Sequence, residues 1–447
     1  MQNSRRSFLT SASMLAAGNA LGFQPFGMLN ALAQTTTDYK ALVCVFMFGG
    51  NDANNMLIPF DTAGYQNYST IRGPLALAQN TLLQLGPQPN YALHPSLTAI
   101  QSLFNSGNAA FVANVGTLLQ PTTRAQYLSN LVTPPTNLFS HPDQQMEWQN
   151  QMQNSTGSSG WAGRIADKLN TQYNPGALVP MIASLSGDAL FCDGSVTGPV
   201  SVLTSGPTSV SCGDQAYCSV RQQTAQQLSV LNSGASLVQA DNSITNNSFT
   251  YNSVLAEALA SASPLTTVIP TSNPFGAQLA EVAKLIQVRA ALGVKRQIFF
   301  VGAGNFDTHG GQLGTQATLL TEVSTSLGAF YQALEEMTLT DQVTAFTCSD
   351  FARTLQPNSS AGSDHAWGSH HIVVGGAVKG GNIYGTFPTL ALGGPNDASS
   401  NGRWIPSTSS AQYAATLAQW FGLPASDLPY VLPYIGNFSS NNLGFFS

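Results

Sequence analysis

The chain alternates between short apolar runs, rich in β-branched residues, and longer stretches with helical periodicity. The runs predict buried β-strands at residues 41–48, 109–115, 179–185, 297–301, 343–348 and 371–374. The periodic stretches predict helices at residues 274–292, 313–337 and 411–421. Because strands and helices alternate, we predict an α/β fold with a doubly wound, mostly parallel sheet.

Residues 186–272 interrupt this alternation. Gly, Ser, Thr, Asn and Gln dominate the segment, and few apolar positions recur with a regular period. We interpret it as an insertion, either a lid or cap that shapes substrate access or a surface excursion with some short helices.

The N-terminus has the features of an export signal. A pair of arginines at positions 5 and 6 precedes a mildly apolar stretch, and the small-residue pattern Ala31-Leu32-Ala33 follows. This order predicts a twin-arginine signal peptide over residues 1–33, with the twin-arginine translocase as the partner during export. The mature chain, residues 34–447, is then periplasmic or secreted. No later apolar stretch reaches the ~20 residues that a membrane-spanning helix needs, so no stable membrane span is expected.

Charge and cysteine usage narrow the classes of function. Only 8% of the 447 residues are charged and the net charge is −6, which argues against nucleic acid as a partner, because binding phosphates requires clustered Lys and Arg. Five cysteines leave at least one unpaired. Cys212 and Cys218 are the expected disulfide pair, with Cys192 as a competitor, whereas Cys44 and Cys348 lie in predicted strands and are expected to be small buried residues.

Carboxylates and histidines gather where the predicted strands end or begin. These candidate metal ligands are Asp52, Asp307, His309, Asp350, Asp364, His365 and His371. Because the carboxyl ends of parallel strands meet at one edge of a sheet, Asp and imidazole side chains there predict a metal site.

Each candidate also has a structural interpretation. Asp52 lies in a Gly- and Asn-rich segment and is equally consistent with a turn that holds no ion. Asp307 beside His309 is consistent with a capping Asp and a hydrogen-bonded His. Arg353 either binds an anionic substrate or pairs with Asp350. His370 and His371 should point to opposite faces of a strand, so at most one of them enters the site.

A nucleophile is expected at the start of a helix, where free backbone N–H groups stabilise an anion. Ser140 precedes the helical stretch 144–153, and Thr122 and Thr123 precede another predicted helix. Each is also explained as a plain helix cap. His141 or His371 is the candidate general acid or base.

Several segments together are specific for one family of exported bacterial proteins. They are GGNDANNMLIP at 49–59, LHPSL at 93–97, SHPDQQMEWQ at 140–149, GWAGRIAD at 160–167, FDTHGGQ at 306–312, SDFART at 349–354, GSDHAWGSHH at 362–371 and GGAVKGG at 375–381. On these motifs the chain resembles the domain of unknown function 1501 family, which looks like a branch of the alkaline phosphatase and sulfatase superfamily. The resemblance spans nearly the whole mature chain and implies an alkaline-phosphatase-like fold.

The superfamily resemblance also implies a metal centre and a nucleophile. The positions that match the metal centre are Asp52, Asp307, His309, Asp350 and His365, and Ser140 is the counterpart of the nucleophile, with Thr122 and Thr123 behind it. The superfamily often has His or Asn after the Asp of the late strand, where this chain has Phe351. That departure leaves a single-metal site, a further ligand from Asp364 or His371, or a site that no longer catalyses.

The sequence therefore predicts an exported, metal-dependent hydrolase of phosphate or sulfate esters, with a small molecule or a polysaccharide as the ester substrate. The Asp and His set suits Zn, Mn or Fe, and a carboxylate-dominated subset would suit Ca. The alternative is a non-catalytic periplasmic binding protein on the same fold, with a structural metal or none. Phe351 favours that alternative.

Overall fold

The computed structural model describes residues 38–152, 157–206, 217–230 and 234–447. The predicted signal peptide and Cys212 lie outside the described residues. The strands are β1 (Lys40–Met47), β2 (Leu57–Pro59), β3 (Leu83–Gln84), β4 (Tyr91–Leu93), β5 (Ala109–Gly116), β6 (Ile182–Ser184), β7 (Val200–Ser201), β8 (Arg296–Ala303), β9 (Val343–Ser349), β10 (Ser369–Val374), β11 (Ile383–Gly385) and β12 (Thr408–Ser409). The α-helices are α1 (Thr62–Arg72), α2 (Thr98–Asn105), α3 (Arg124–Leu128), α4 (His141–Asn150), α5 (Trp161–Tyr173), α6 (Cys218–Ser229), α7 (Ser236–Ala260), α8 (Pro274–Gln287), α9 (Gln312–Glu336), α10 (Ser410–Phe421) and α11 (Leu428–Val431).

A large, mostly parallel sheet forms the centre of the molecule. Its strand order is β11-β5-β10-β9-β1-β8-β6-β7, and β12 pairs with β5. Among the described strands of this sheet, β10 alone is antiparallel to its neighbours, β9 and β5. Strands β2, β4 and β3 form a separate small antiparallel sheet. The predicted α/β class with a mostly parallel sheet is confirmed.

Helices cover both faces of the large sheet. Val43 and Val45 of β1 pack into a core that includes α8 and α9, whereas Leu42 and Cys44 pack into a second core that includes α5 and α10. Alternate residues of a strand point to opposite faces, so a strand covered on both sides must be apolar throughout. This explains why β1 is a continuous apolar run after Lys40.

The predicted elements differ from the observed ones mainly in their ends. The strand expected at residues 179–185 is shortened to Ile182–Ser184. Pro180 lies in that segment and has no N–H to donate to a neighbouring strand. The helix expected at 274–292 ends at Gln287, and turns follow it up to Gly293, which has a φ of 69°.

Residues 186–272 contain more regular structure than a loop. Strand β7 pairs with β6 and extends the sheet. Helix α7 is 25 residues long, and its Leu255 and Ala258 are buried against the core. The role of this segment as a cap stays a prediction. Across the described residues, every helix is too short or too polar to cross a membrane.

Candidate metal centre

Three parallel strands end side by side and bring their loops to one edge of the sheet. Met47 at the end of β1 is in register with Ala303 at the end of β8 and with Ser349 at the end of β9. The loops that follow begin at the same level. Strand β10 runs in the opposite direction, so the segment that precedes it, with Asp364 and His365, reaches the same edge.

Four side chains from these loops and from α4 converge at this edge. The Nε2 atom of His365 lies 3.1 Å from His141 Nε2 and 2.8 Å from His309 Nε2. The Asp307 carboxylate lies 3.0 Å from His309 Nε2, and 3.5 Å from the Nε2 atoms of both His141 and His365. We call these four residues the ligand cluster.

Each imidazole of the ligand cluster is held at its other nitrogen. His141 Nδ1 lies 2.7 Å from Asp350 Oδ2, His309 Nδ1 lies 3.2 Å from Asp364 Oδ1, and His365 Nδ1 donates to the Phe139 carbonyl at 2.7 Å. A carboxylate or carbonyl partner fixes the proton on Nδ1, so the Nε2 atom carries the lone pair. The Nε2 lone pairs of His141 and His309 therefore each face that of His365, and a cation would relieve their repulsion.

Three members of the ligand cluster, His141, Asp307 and His365, have the spacing of a metal site. Zinc bonds of 2.0–2.1 Å imply ligand-to-ligand distances of about 3.3–3.4 Å in a tetrahedron. The separations among His141, Asp307 and His365 are 3.1–3.5 Å and bracket this value. The donor set and its geometry thus fit a divalent metal ion.

Helix α4 supplies His141, and Asp350 fixes its ring. His141 is the first residue of α4, and Gln145 lies one turn later on the same face, where its Nε2 donates to Asp350 Oδ2 at 2.7 Å. The Asp350 side chain is fully buried, and its Oδ1 accepts from the Gly49 N–H at 3.1 Å. The hydrogen bond to Asp350 raises the pKa of His141. Asp350 therefore acts on the cluster through His141.

Arg353 is a buried cation at the base of the cluster. Its guanidinium donates to the carbonyls of Gly49, Gly50 and Ser363 and to Asp307 Oδ1, and its Nη1 lies 3.3 Å from His309 Nε2. Burial disfavours the Asp307 carboxylate, but Arg353 outweighs this effect, and the pKa of Asp307 is lowered.

Arg353 pairs with a carboxylate other than the expected Asp350. Its hydrogen-bond partner is Asp307 and not Asp350, and its donors are used within the protein. The expected role as a substrate-binding arginine is therefore not supported by its position.

Phe351 packs against two imidazoles of the cluster, and Gly50 after β1 packs against Phe351. The Phe351 ring lies 4.7 Å from the His141 ring and 4.6 Å from the His365 ring, centroid to centroid. A Cβ on Gly50 would lie 2.6 Å from Phe351, and Gly50 has a φ of 81°. Gly50 is therefore required both for its conformation and for space.

Asp52, an expected ligand, does not join the cluster. Its side chain is buried and paired with Arg72 at the end of α1, and it also accepts from the Gln312 side chain. Its Oδ1 accepts from the Asn54 N–H at 3.1 Å, which is the cap of a short 3-10 helix. The alternative interpretation of Asp52 as a structural carboxylate agrees with these contacts.

His371, an expected ligand or general acid, also lies away from the cluster. Its ring is fully buried between Trp148 and Tyr413, and neither ring nitrogen has a hydrogen-bond partner within the described part of the chain. Burial lowers its pKa to about 3. His370 points to the other face, where it stacks on Phe387. A neutral, enclosed His371 is not positioned to exchange protons with a substrate.

The candidate nucleophiles differ in their surroundings. Thr123 is the N-cap of α3 and forms a capping box with Gln126, and the Thr122 hydroxyl donates to the Gln120 carbonyl. Ser140 precedes α4, and its hydroxyl donates to Asp143 Oδ2 rather than capping the backbone. Among the described residues, Ser140 makes no hydrogen bond to the ligand cluster, but it adjoins His141 in the chain.

The sequence did not identify three polar residues around the site. Gln145 supports Asp350, and Asn358 donates to Asp364 Oδ1 at 3.1 Å and to the His309 carbonyl at 3.0 Å. Together with His309, Asn358 holds the pKa of Asp364 low although burial opposes this. Arg403 Nε donates to the His365 carbonyl at 2.8 Å. The spacing of His141 and Gln145 on one helix face was the available signal for Gln145.

The comparisons with known proteins agree with the expected family. The model of a family of proteins of unknown function, DUF1501, matches residues 39–401. The chain belongs to this family. Among curated proteins, none matches the chain.

Solved structures with a related backbone include two sulfatases and a phosphatase. A sulfatase from Pseudoalteromonas sp. has a TM-score of 0.35 and 10% identity, over 89% of this chain and 70% of that one. A 2-O GAG sulfatase has a TM-score of 0.32 and 9% identity, over 88% and 74%. A mutant of the alkaline phosphatase PafA has a TM-score of 0.27 and 11% identity, over 72% and 64%. Likeness at this level carries no weight for function, which must come from the site itself.

Proposed function

We propose that this protein is a divalent-metal-dependent hydrolase of phosphate or sulfate esters that acts in the periplasm or outside the cell. The observation that carries the proposal is the convergence of the His141 and His365 imidazoles with the Asp307 carboxylate, beside the His309 imidazole, with every imidazole oriented by a hydrogen bond at Nδ1. Metal-bound histidines are held in this way, and the orienting partner tunes the ligand.

The donor set favours Zn, Mn or Fe over Ca. Calcium takes six to eight oxygen ligands, whereas three nitrogens and one carboxylate suit a borderline transition metal. Such an ion would act as a Lewis acid on the oxygen that gains charge when the ester is cleaved.

The formal charges around the cluster also fit a divalent cation. Asp307, Asp350 and Asp364 contribute three negative charges. Arg353 contributes one positive charge, which interacts electrostatically with all three carboxylates. Imidazoles bind a metal in their neutral form, so these side chains then carry a formal charge of two negatives. A divalent ion would neutralise this charge.

Two features favour hydrolysis over simple metal storage: one side of the cluster is open to a substrate, and a candidate nucleophile adjoins it. The side chains of Asp307 and His309 are 47% and 46% exposed, so one side of the cluster is open to a substrate. Ser140 is the candidate nucleophile because its hydroxyl donates a hydrogen bond to Asp143 Oδ2, which could take up the proton as a base. Because its Nε2 atom lies within the cluster, His141 is proposed as a metal ligand and not as a general acid.

The first test is metal content followed by hydrolysis of an aryl phosphate and an aryl sulfate. We expect near-stoichiometric metal in protein purified without chelator, and turnover of one of the two esters. His365→Ala should weaken metal binding at least about 100-fold, because it removes a ligand and not only a supporting group. The matched control is His94→Gln, since His94 Nδ1 accepts from the Ser96 N–H away from the cluster.

Two further outcomes separate catalysis from binding. Ser140→Ala should retain the metal and lose turnover if Ser140 is the nucleophile. A metal-loaded protein that hydrolyses neither ester would contradict the hydrolase proposal and favour the binding-protein alternative. A protein that binds none of the added divalent ions would contradict the proposal that the cluster is a metal centre.

A further inference from the structure

A rigid loop presents Arg403 beside the ligand cluster. The buried carboxylate of Asp397 accepts from the backbone N–H groups of Gly393, Ser399, Gly402 and Arg403 at 2.9–3.0 Å. Arg124 closes the loop from outside by donating to the Asp397 carbonyl at 2.8 Å. The backbone at Arg403 is therefore fixed before any ligand arrives, so little ordering entropy remains to oppose binding.

The Arg403 side chain is oriented but its terminal donors are unused. Nε donates to the His365 carbonyl, and the guanidinium carbon lies 4.2 Å from the centre of the Phe139 ring. The carbonyl of Phe139 in turn holds His365 Nδ1. Within the described part of the chain, the two terminal nitrogens of Arg403 make no hydrogen bond. The charge of Arg403 also lowers the pKa of Asp364, after the stronger effects of Asn358 and His309.

The other arginines near the site already use their donor groups in hydrogen bonds within the protein. Arg353 is buried against four backbone carbonyls and Asp307. Arg124 donates to the carbonyls of Asp397 and Ser399. Arg403 is half-buried and retains two donor groups in the fork geometry that matches a phosphate or sulfate oxygen pair.

We propose that Arg403 binds the anionic phosphate or sulfate group of the substrate and so determines that the site accepts a charged ester. This inference rests on the proposed function. With a divalent ion in the cluster, the three carboxylates, Arg353 and Arg403 sum to one formal positive charge. Such a site attracts an anion, whereas the same site without Arg403 would be formally neutral.

The test measures binding of inorganic phosphate and inorganic sulfate to the metal-loaded protein by calorimetry. Arg403→Gln should weaken binding of the better anion about 10- to 100-fold, the loss expected for a charge-assisted hydrogen-bonded pair. It should raise KM for the aryl ester while metal content stays unchanged. Arg403→Lys should recover part of the affinity, because the charge returns but the fork does not.

The matched control is Arg289→Gln. Arg289 is likewise half-buried, stacks over an aromatic ring, Tyr39, and donates to one backbone carbonyl, that of Ile286. Tyr39 precedes β1, whereas the cluster follows β1, so this control lies at the opposite edge of the sheet. We expect it to leave anion binding unchanged.

The results separate this inference from the proposed function. If wild type hydrolyses an ester but Arg403→Gln changes neither anion affinity nor KM, the role of Arg403 is wrong and the hydrolase proposal stands. If wild type binds phosphate through Arg403 but hydrolyses no ester, the anion site stands and the hydrolase proposal fails. Equal loss of metal and anion in Arg403→Gln would show a structural role through His365 and would overturn the inference, as would wild type that binds neither anion.

Discussion

Two buried arginines neutralise carboxylates at the edge of the sheet. Arg353 pairs with Asp307 inside the ligand cluster, and Arg72 pairs with Asp52 behind it. Arg72 also donates to Asn55 Oδ1 and to the carbonyls of Thr354 and Leu355, so it joins the loop after β1 to the loop after β9. The Arg72–Asp52 pair is therefore expected to support the site by holding the backbone of these two loops together, and not by binding the ion.

The variant Asp52→Asn tests this division of roles. It leaves the buried Arg72 charge without its carboxylate, so we expect the free energy of unfolding to fall by about 3–5 kcal/mol. Urea denaturation measures the loss, and the folded fraction should still carry the wild-type amount of metal. Asp61→Asn is the control, because Asp61 is an exposed N-cap and Asn caps a helix about as well as Asp. Loss of metal from folded Asp52→Asn would instead support Asp52 as a ligand.

At the scale of elements, helix α4 joins the ligand cluster to the core. His141 is the first residue of α4, and Trp148, near the end of the helix, packs against His371 of β10. Between them, the carboxylate of Glu147 is buried and accepts from the Thr136 N–H at 2.9 Å. Burial raises the pKa of Glu147 to about 7, although its hydrogen bonds oppose this.

This shift predicts how stability depends on pH. Between about pH 4.5 and pH 7 the unfolded chain is ionised at Glu147 while the folded chain retains the proton, so the folded state binds more protons and stability falls as pH rises. The loss should reach on the order of 3–4 kcal/mol above pH 7. Glu147→Gln should remove this part of the slope in metal-free protein, as measured by urea denaturation from pH 4.5 to pH 8. An unchanged slope would show that Glu147 is ionised throughout this range in the folded protein.

The elements were more predictable from sequence than the contacts between them. Apolar runs located β1, β8 and β9, and parallel strands necessarily place the residues after them at one edge, so Asp307 and His309 could be expected to meet Asp350 there. The position of α4 against that edge depends on packing of the whole layer, so the sequence alone predicts His141 as an acid or base and not as a ligand. Arg72 is bound to Asp52 through a tertiary contact that local sequence does not encode.

At the scale of the whole molecule, the three free cysteines of the described residues lie in one packed core layer on the same side of the large sheet. Cys44 on β1 and Cys348 on β9 are buried neighbours, and Cys192 is buried in the same core layer. Burial raises the pKa of the Cys44 and Cys192 thiols, which further suppresses the reactive thiolate. Cys218, by contrast, is disulfide-bonded. Its expected partner, Cys212, lies outside the described residues.

Thiol counting under three conditions tests this arrangement. The native protein should give no reaction with Ellman's reagent, because the three free thiols become accessible only when the core opens globally. Denatured but unreduced protein should give three thiols, and reduction should raise the number to five. Five thiols before reduction would contradict the Cys212–Cys218 bond, and with it one argument for an oxidising compartment, since such bonds rarely persist in the cytosol. A fast-reacting thiol in the native protein would instead show that the layer containing Cys44 and Cys192 opens locally, separately from the rest of the sheet.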